Sequence, residues 1–448
     1  MRIGIVPALK PSGGGVYQYS IIMLRALGEW KEQACGDEFI IFAHQAPDPT
    51  LLNGQGWTFR PLMPAQTRSR QKKILEVLRR IVGEGPHREA WRWLRRKLHR
   101  SLRDSNPDIV QSRPDMTSWL RHCGVDLMFY SFPTSVSFET GIPYVMAIHD
   151  LQHRLQPEFP EVSADGEWER REYMFRNGAR YATLLLADSE IGKEDILNFY
   201  GPYGVTPDQV KILPFLPACY LAPDISQSAR QRARTIYRLP ERYLFYPAQF
   251  WPHKNHTRIV QALGLLKQEH RLKIPVVFSG SHTGEIRERT FQEVMSLCSE
   301  LKLQEQIHYL GYLPEEDMSG VYAEALALVM PTFFGPTNIP VLEAWAFNCP
   351  VLTSDIRGIR EQAGNAAILV NPRSVEAIAE GIYQLWTDGN LRAALADRGR
   401  ARLATYTLDD YRRRLSEIVE EAKSRVQSQT RKTHNYRHSN TRSMHGTP

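Results

Sequence analysis

Cysteine is scarce in this sequence: only five cysteines occur, and no two of them have Cys-x-x-Cys spacing. This scarcity excludes a disulfide framework and a zinc site of the usual spacing, and it indicates free thiols in a reducing cytoplasm. Long apolar runs are absent too, since none approaches the ~18 to 20 residues that a membrane span needs. The first residues, Met1–Val6, form a strand-like run without a signal-peptide pattern, so we expect a cytoplasmic protein.

The chain of 448 residues is too long for one ordinary core, so we expect two domains of about 200 residues each. Short apolar runs alternate with helical patterns, which is typical of α/β domains. The predicted strands are 2–6, 39–43, 127–130, 144–148, 183–187 and 211–214, then 244–248, 276–280, 308–310, 325–330, 351–353 and 367–370. These two series predict two facing Rossmann-like domains, each a doubly wound parallel sheet, with ligands bound in the cleft between them.

The domain boundaries follow from a turn-rich stretch between Pro214 and Ser228, which we interpret as the linker. The first domain is expected over 1–220 and the second over 221–405. A helix over 406–424 is expected to pack back on the first domain. Residues 425–448 are polar and almost free of aliphatic side chains, which predicts a disordered tail.

Positive charge is concentrated in one part of the first domain. Thirteen Lys or Arg residues lie between Arg68 and Arg103 against three acids, and leucines and tryptophans recur among them at spacings of three and four. This pattern predicts a basic helical insertion over 66–104. It suits peripheral contact of 68–103 with an anionic membrane at its inner face, or equally a solvated basic face that packs by its apolar side. Nucleic acid is not expected as a partner, because no groove-reading or base-stacking motif accompanies the charge.

Three glycines, Gly13, Gly14 and Gly15, stand between the first predicted strand and a helical pattern. Glycine lets backbone N–H groups approach a phosphate, and the start of a helix adds a favourable dipole. The spacing is neither GxGxxG nor a P-loop, so a tight strand–helix turn is the alternative.

Lys254 lies in the segment Tyr246–His256, which follows the first predicted strand of the second domain. A lysine at the carboxyl end of a strand, among prolines and aromatics, is well placed to bind a diphosphate. The alternative is a solvated loop charge.

The segment Pro331–Ala344 joins an apolar strand to a helix that is expected to begin near Pro340. Backbone amides at such a helix start can bind hydroxyl or phosphate oxygens. Glu343 is expected in the first helical turn, where its carboxylate can accept hydrogen bonds from sugar hydroxyls or cap its own helix.

Together these segments resemble the retaining glycosyltransferases of family 4, also called glycosyl transferases group 1, which have the GT-B fold of two Rossmann-like domains. The resemblance covers about residues 1–418 and implies a hexosyltransferase that uses a nucleoside-diphosphate sugar. The family signature has two glutamates eight residues apart. Glu343 matches the second, which binds ribose, whereas the first falls on Gly335.

A second family feature is absent as well. Gln249, five residues before Lys254, stands where the family usually has a phosphate-binding arginine. The resemblance is to a subgroup with a Gly-Pro-Thr-Asn-Ile-Pro loop, so Thr337, Asn338 and the Ile339 amide are expected to meet the sugar hydroxyls. Another cation, such as Arg258 or a first-domain residue, is expected to compensate for Gln249.

His149 and Asp150 follow a predicted strand of the first domain and resemble the family's His-Asp segment. The resemblance implies that His149 approaches the donor sugar, although a lone histidine after a strand is more often structural. Asp150 is expected to orient His149 or its loop. Ser189 is expected to cap the helix that follows it.

The resemblance further implies a front-face retaining transfer, without metal or cofactor, because Lys254 and backbone amides take the place of a cation. By analogy we expect GDP-mannose as donor and a saccharide or lipid-linked acceptor in envelope polysaccharide or lipopolysaccharide synthesis. Two alternatives stay open. One is a non-catalytic protein of the same fold that binds sugar nucleotides, and the other is a nucleotide-sugar epimerase.

Overall fold

The structure, a computed structural model, describes residues 1–34, 36–46, 57–62, 107–218 and 225–443. The basic insertion predicted over 66–104, and with it the membrane contact suggested for 68–103, lies outside these ranges. Within the described ranges no helix is both long and apolar enough to cross a membrane.

The first domain is built on a seven-stranded parallel sheet with the order β3-β2-β1-β4-β5-β6-β7. Successive side chains of a strand point to opposite faces, so Ile3 and Ile5 join one core cluster and Val6 joins the other. Its strands are β1 (Arg2–Val6), β2 (Glu38–Ala43), β3 (Thr58–Pro61), β4 (Leu127–Tyr130), β5 (Tyr144–Ala147), β6 (Leu184–Ala187) and β7 (Val210–Ile212). Its helices are α1 (Gly15–Ala34), α2 (Pro114–His122), α3 (Val136–Glu139), α4 (Gln152–Leu155), α5 (Pro160–Ser163), α6 (Glu167–Arg180) and α7 (Glu190–Tyr200).

The second domain has a six-stranded parallel sheet with the order β10-β9-β8-β11-β12-β13. One apolar cluster fills it, and the strands β8, β9 and β11 are almost wholly buried, as expected for a parallel sheet covered on both faces. The strands are β8 (Leu244–Pro247), β9 (Val276–Ser279), β10 (Ile307–Tyr309), β11 (Ala327–Met330), β12 (Val351–Ser354) and β13 (Ile368–Val370). The helices are α8 (Gln227–Tyr237), α9 (His256–His270), α10 (Glu285–Glu300), α11 (Glu315–Glu324), α12 (Ile339–Ala346), α13 (Arg357–Ala363), α14 (Val375–Thr387) and α15 (Gly389–Leu403).

The predicted fold class, two facing doubly wound parallel sheets, is confirmed. In each sheet the strand order reverses once, between β1 and β4 in the first and between β8 and β11 in the second. Ligands of such sheets bind at these reversal points, beyond the carboxyl ends of the strands. The glycine loop follows β1, the Lys254 segment follows β8, and the Pro331–Ala344 segment follows β11. The fold thus brings the three segments to the two reversal points.

The last helix, α16 (Leu408–Ser443), crosses back from the second domain and packs on the first. Tyr411, Leu415 and Val419 are buried against α1 and the first sheet, and Lys423 Nζ donates to Asp37 Oδ2 at 2.5 Å. The helix runs through residues 425–443, where the sequence had predicted a disordered tail over 425–448. No proline or glycine interrupts this stretch, and a helix already begun by packed turns can continue through polar sequence.

Candidate functional site

A cavity of about 230 Å³ lies between the two domains. The first domain lines it with residues 148–151, 155–156, 191–192 and 195, and the second with 333–334, 336 and 356–358. Among the residues predicted for the site, His149 and Asp150 lie in its lining. The cleft expected between the sheets is therefore present, and His149 and Asp150 line its cavity, whereas Gly13, Gly14 and Gly15 do not.

The glycine loop of the first domain closely approaches the second domain. A Cβ placed on Gly14 would lie 3.9 Å from Gln249 Nε2, and one on Gly15 would lie 3.4 Å from Ile339 Cδ1. Gly14 also has a φ of 59°, which favours glycine. The glycine loop therefore lies close to both predicted segments of the second domain. Side chains at positions 14 and 15 would fill the space between the two domains.

Not all three glycine amides are available to a ligand. The N–H groups of Gly13 and Gly14 donate to the carbonyls of Lys10 and Pro11, at 2.8 and 3.0 Å, within a short 3-10 turn. The next N–H group along the chain is that of Gly15, where α1 begins, and the start of a helix favours an anion. The phosphate contact of Gly13–Gly15 stays a prediction, and the helix start is the part of it that these hydrogen bonds leave open.

Lys254 ends a short 3-10 turn, Pro252–Lys254, beside the cleft. Burial lowers the pKa of its ammonium to about 8, although the nearby carboxylates of Asp150 and Glu161 act to raise it. Among the described residues no hydrogen bond or ion pair engages its Nζ. A half-buried cation without a paired acid is suited to an anionic ligand.

Gln249 is held by two side chains of its own domain. Its Oε1 accepts hydrogen bonds from Arg287 Nη1 at 2.6 Å and from Trp251 Nε1 at 3.1 Å. Arg258, which we expected to compensate for Gln249, contacts Asn255 Oδ1 at 3.2 Å and lies over the ring of Phe333. The cation that the fold brings to Gln249 is therefore Arg287, a residue that the sequence did not single out.

The loop before α12 is shaped by Gly335 and Asn338. Gly335 has a φ of 136°, and a Cβ there would lie 2.6 Å from Asn338 Nδ2. The Asn338 backbone N–H donates to Gln362 Oε1 at 2.9 Å, which fixes the residue in the loop. Its Nδ2 is buried without a hydrogen-bond partner in the described part of the chain. Asn338 thus holds an unused amide donor next to the position where the family has a carboxylate.

Glu343 is buried in α12 and bonds to its own domain. Its Oε2 accepts a hydrogen bond of 2.8 Å from the Tyr322 hydroxyl. Helix α12 begins at Ile339, so Glu343 is at the start of the second turn, one step later than predicted. The Tyr322 hydrogen bond fixes the orientation of its carboxylate.

His149 is oriented by a backbone carbonyl. Its Nε2 lies 2.8 Å from Ser131 O, and Tyr19 packs edge-on against the ring. Because a carbonyl only accepts, Nε2 must carry a proton and the neutral ring keeps Nδ1 as an acceptor. Burial lowers the pKa of His149, so the ring is neutral near pH 7.

Asp150 acts on its loop rather than on His149. Its Oδ1 accepts from the Gln152 backbone N–H at 3.1 Å and from Arg171 Nη1 at 3.5 Å. Of the two expected roles, the contacts therefore support the orientation of the loop.

Asp188 and Thr337 connect the two domains. The Thr337 hydroxyl donates to Asp188 Oδ2, and burial raises the pKa of Asp188 to about 7. The next residue, Ser189, accepts from the Gly192 N–H at 3.0 Å, which confirms it as the N-cap of α7. The Thr337 hydroxyl therefore donates to the first domain, while its oxygen can still accept a hydrogen bond, and its contact with a sugar stays a prediction.

A second connection between the domains, Glu161 to His253, was missed from the sequence. Glu161 Oε1 accepts from the backbone N–H of His253 at 3.2 Å and from its Nδ1 at 2.5 Å. Burial raises the pKa of Glu161, but these hydrogen bonds outweigh it and leave the pKa below its usual value. The Glu161 carboxylate is thus charged. The residue that it binds, His253, directly precedes Lys254 in the chain. No local pattern in the sequence marks it, since the contact arises only when the domains meet.

Comparison with known proteins assigns part of the chain. Residues 228–402 match the family described as glycosyl transferases group 1. Over 169 residues the chain is 31% identical to O-antigen chain mannosyltransferase B of Escherichia coli. This match covers 38% of the chain and 43% of that relative, so the chain spans less than half of the relative's length.

Solved structures resemble most of the chain in fold. A glycosyltransferase from Rickettsia africae ESF-5 has a TM-score of 0.63 at 16% identity, and the match covers 94% of this chain and 98% of that one. HepE (Alr3699) from Anabaena, in complex with UDP-glucose, has a TM-score of 0.63 at 16% identity, with 94% and 99% covered. At this identity the likeness concerns the fold alone, and that fold is GT-B.

Proposed function

We propose, for a chain whose second half carries a glycosyl transferases group 1 domain, that the protein transfers a hexose from a nucleoside-diphosphate sugar to an acceptor hydroxyl in polysaccharide synthesis. One observation carries the proposal. The unpaired Lys254 ammonium follows β8 at the reversal point of one sheet, and the start of α1 follows β1 at that of the other. A cation at one reversal point and a helix N-terminus at the other suit a diphosphate.

The donor proposed is GDP-mannose. The Escherichia coli relative is by its name a mannosyltransferase of O-antigen chains, and the family matched by 228–402 is that of glycosyl transferases group 1. Glu343, held by Tyr322, would accept the ribose hydroxyls. The Asn338 amide would donate to a sugar hydroxyl, because its Nδ2 is buried and lacks a partner in the described chain.

The chemistry proposed needs little from side chains beyond charge and position. As the bond from the anomeric carbon to the diphosphate breaks, negative charge grows on the leaving oxygen, and Lys254 and the α1 amides would stabilise it. The acceptor hydroxyl would attack from the same face and give its proton to the leaving phosphate, which retains the configuration. His149, neutral and fixed by Ser131, would accept a hydrogen bond from the donor sugar through Nδ1.

The acceptor would enter the cavity of about 230 Å³ between the domains, which His149 and Asp150 line. We propose a saccharide or a lipid-linked saccharide, in line with O-antigen synthesis by the Escherichia coli relative. A peripheral position at an anionic membrane belongs to the proposal and depends on the basic composition of 68–103.

The test is a turnover assay with radiolabelled GDP-mannose, run in parallel with UDP-glucose and UDP-galactose. We expect slow release of mannose from GDP-mannose alone, and faster transfer when a lipid-linked saccharide is added. The anomeric configuration of the product, read by NMR, tests retention. Lack of binding to every nucleoside diphosphate would refute the proposal.

A non-catalytic role in binding sugar nucleotides is the second candidate. The observation that favours it is the loss of charge at two site positions, Gly335 and Gln249. Tight binding of GDP-mannose without hydrolysis or transfer, with acceptors present, would establish this role instead.

A further inference from the structure

Arg287 lies in the first turn of α10, and its guanidinium extends to the segment after β8. Its Nη1 donates to Gln249 Oε1 at 2.6 Å, and its guanidinium carbon lies 4.6 Å from the centre of the Trp251 ring. Trp251 donates to the same Gln249 oxygen at 3.1 Å. The three side chains therefore form one cluster, which fixes both the guanidinium and the Gln249 amide.

The cluster faces the glycine loop. With its oxygen occupied by Arg287 and Trp251, Gln249 turns its Nε2 towards the first domain, where a Cβ on Gly14 would lie 3.9 Å away. Gly14 is the residue before the first turn of α1. Gln249 therefore lies between Arg287 and Gly14, with its oxygen on Arg287 and its nitrogen towards the start of α1.

The charge of Arg287 is not neutralised by an acid in the described part of the chain. Its Nε is buried and has no hydrogen-bond partner, and burial lowers the pKa of the guanidinium. Two residues on, Arg289 is 72% exposed and pairs with Glu285 at 3.9 Å. A guanidinium that is partly out of water and has no paired acid attracts an anion more strongly than an exposed, paired one does.

We infer that Arg287 is a diphosphate-binding residue, which supplies the positive charge that Gln249 lacks and which Gln249 and Trp251 hold in place. This inference rests on the proposed function and names a cation for it on the β8 side of the cleft, in addition to Lys254. The ligand is the diphosphate of a nucleoside diphosphate, bound at the start of α1 beside the Gln249 amide and within the field of the Arg287 charge. Guanidinium groups suit this ligand, because their donors match pairs of phosphate oxygens.

The experiment measures the affinities of GDP, UDP and guanosine for wild type and for R287Q, by calorimetry or NMR titration. We expect R287Q to bind GDP about tenfold or more weakly, with guanosine binding unchanged, because only the diphosphate meets the charge. R289Q, two residues away on the same helix, is the matched control and should bind as wild type does.

A second variant separates charge from packing. In Q249R/R287Q the cation is moved to position 249, and we expect it to recover most of the lost GDP affinity. Unchanged GDP binding in R287Q, or equal losses for GDP and guanosine without recovery in the double variant, would overturn this inference alone. If wild type bound neither GDP nor UDP, the proposed function would fall first and this inference with it.

Discussion

The side chain of Asn338 occupies the space that any side chain at position 335 would need. A Cβ on Gly335 would lie 2.6 Å from Asn338 Nδ2 and 2.9 Å from its Oδ1. The backbone of Gly335, with φ at 136°, is in addition one that glycine adopts readily and other residues do not. The loop therefore has no room for the first signature glutamate at position 335, because both the backbone and the Asn338 side chain exclude it.

Restoring that glutamate should harm the protein. For G335E we expect a free energy of unfolding lower by about 1 to 3 kcal/mol, from backbone strain and the collision with Asn338. Turnover of the donor should fall as well. Thermal unfolding and the donor hydrolysis assay measure both effects. The variant G335E/N338A, which removes the collision but not the strain, should recover only part of the stability. Full stability with higher turnover in G335E would contradict this account of the loop.

Lys254 should give the protein a distinct pH dependence. Burial lowers the pKa of this ammonium from 10.5 to about 8 in the folded chain. Between about pH 8 and 10.5 only the unfolded chain keeps this proton, so the contribution of Lys254 to the free energy of unfolding rises with pH. GDP affinity should fall as pH rises above the folded pKa, because the neutral amine no longer attracts a diphosphate.

The measurement compares K254M with K273M by denaturant unfolding and GDP titration over this pH range. Lys273 is 73% exposed and pairs with Glu305 at 3.5 Å, so its loss should leave both profiles as in wild type. K254M should lose the pH-dependent rise and bind GDP at least about tenfold more weakly at pH 7. A K254M profile identical to wild type would show that Lys254 carries neither effect.

Asp188 should lower the free energy of unfolding as pH rises. Burial raises its pKa from 3.8 to about 7, so the folded chain holds a proton that the unfolded chain has lost across this interval. The contribution of Asp188 to the free energy of unfolding therefore falls as pH rises from about 4 to about 7. D188N keeps an acceptor for the Thr337 hydroxyl and removes the titration.

The stability advantage of D188N over wild type should thus grow between pH 4 and pH 7, as measured by urea unfolding. The control is D397N, which removes an exposed carboxylate paired with Arg400 at 2.5 Å and should show no such trend. An advantage of D188N that does not change with pH would mean that Asp188 is ionised throughout.

Glu343 is best tested through its hydrogen bond to Tyr322. E343Q keeps an oxygen that can accept the Tyr322 proton, so we expect a loss of stability under about 1 kcal/mol. Its GDP affinity should nevertheless fall about tenfold, because a neutral amide is a weaker acceptor for ribose hydroxyls. Y322F removes one hydrogen bond to the carboxylate but keeps its charge, so it should weaken binding less. If E343Q bound GDP as wild type does, Glu343 would be a structural residue only.

Most strands of the fold could be predicted because they are buried on both faces and form continuous apolar runs, as in Leu127–Tyr130. The strand Thr58–Pro61 could not, because it is a partly exposed edge strand of four residues that ends in proline. Helix Gly389–Leu403 was missed for a similar reason: only Leu395 and Gly399 are buried, so no apolar stripe marks it.

The candidate site was predictable where it is local in sequence. Lys254 and Glu343 belong to segments that directly follow strands, and parallel sheets bring such segments to one edge. Arg287 and Glu161 were not predictable, since each reaches the site from a helix far along the chain or in the other domain. Their contacts depend on tertiary packing, which leaves no spacing pattern in the sequence.

The return of α16 to the first domain has a consequence for how the chain is made. Residues 2–212 supply the first sheet, but Tyr411, Leu415 and Val419 complete one of its cores, and they leave the ribosome about 200 residues later. Until then the apolar surface around Tyr19 and Ile22 has no cover, while the second domain can already fold on its own local contacts. A nascent chain that pauses before residue 408 should therefore bind chaperones. We expect it to dissociate from them once α16 has been made and covers this apolar surface.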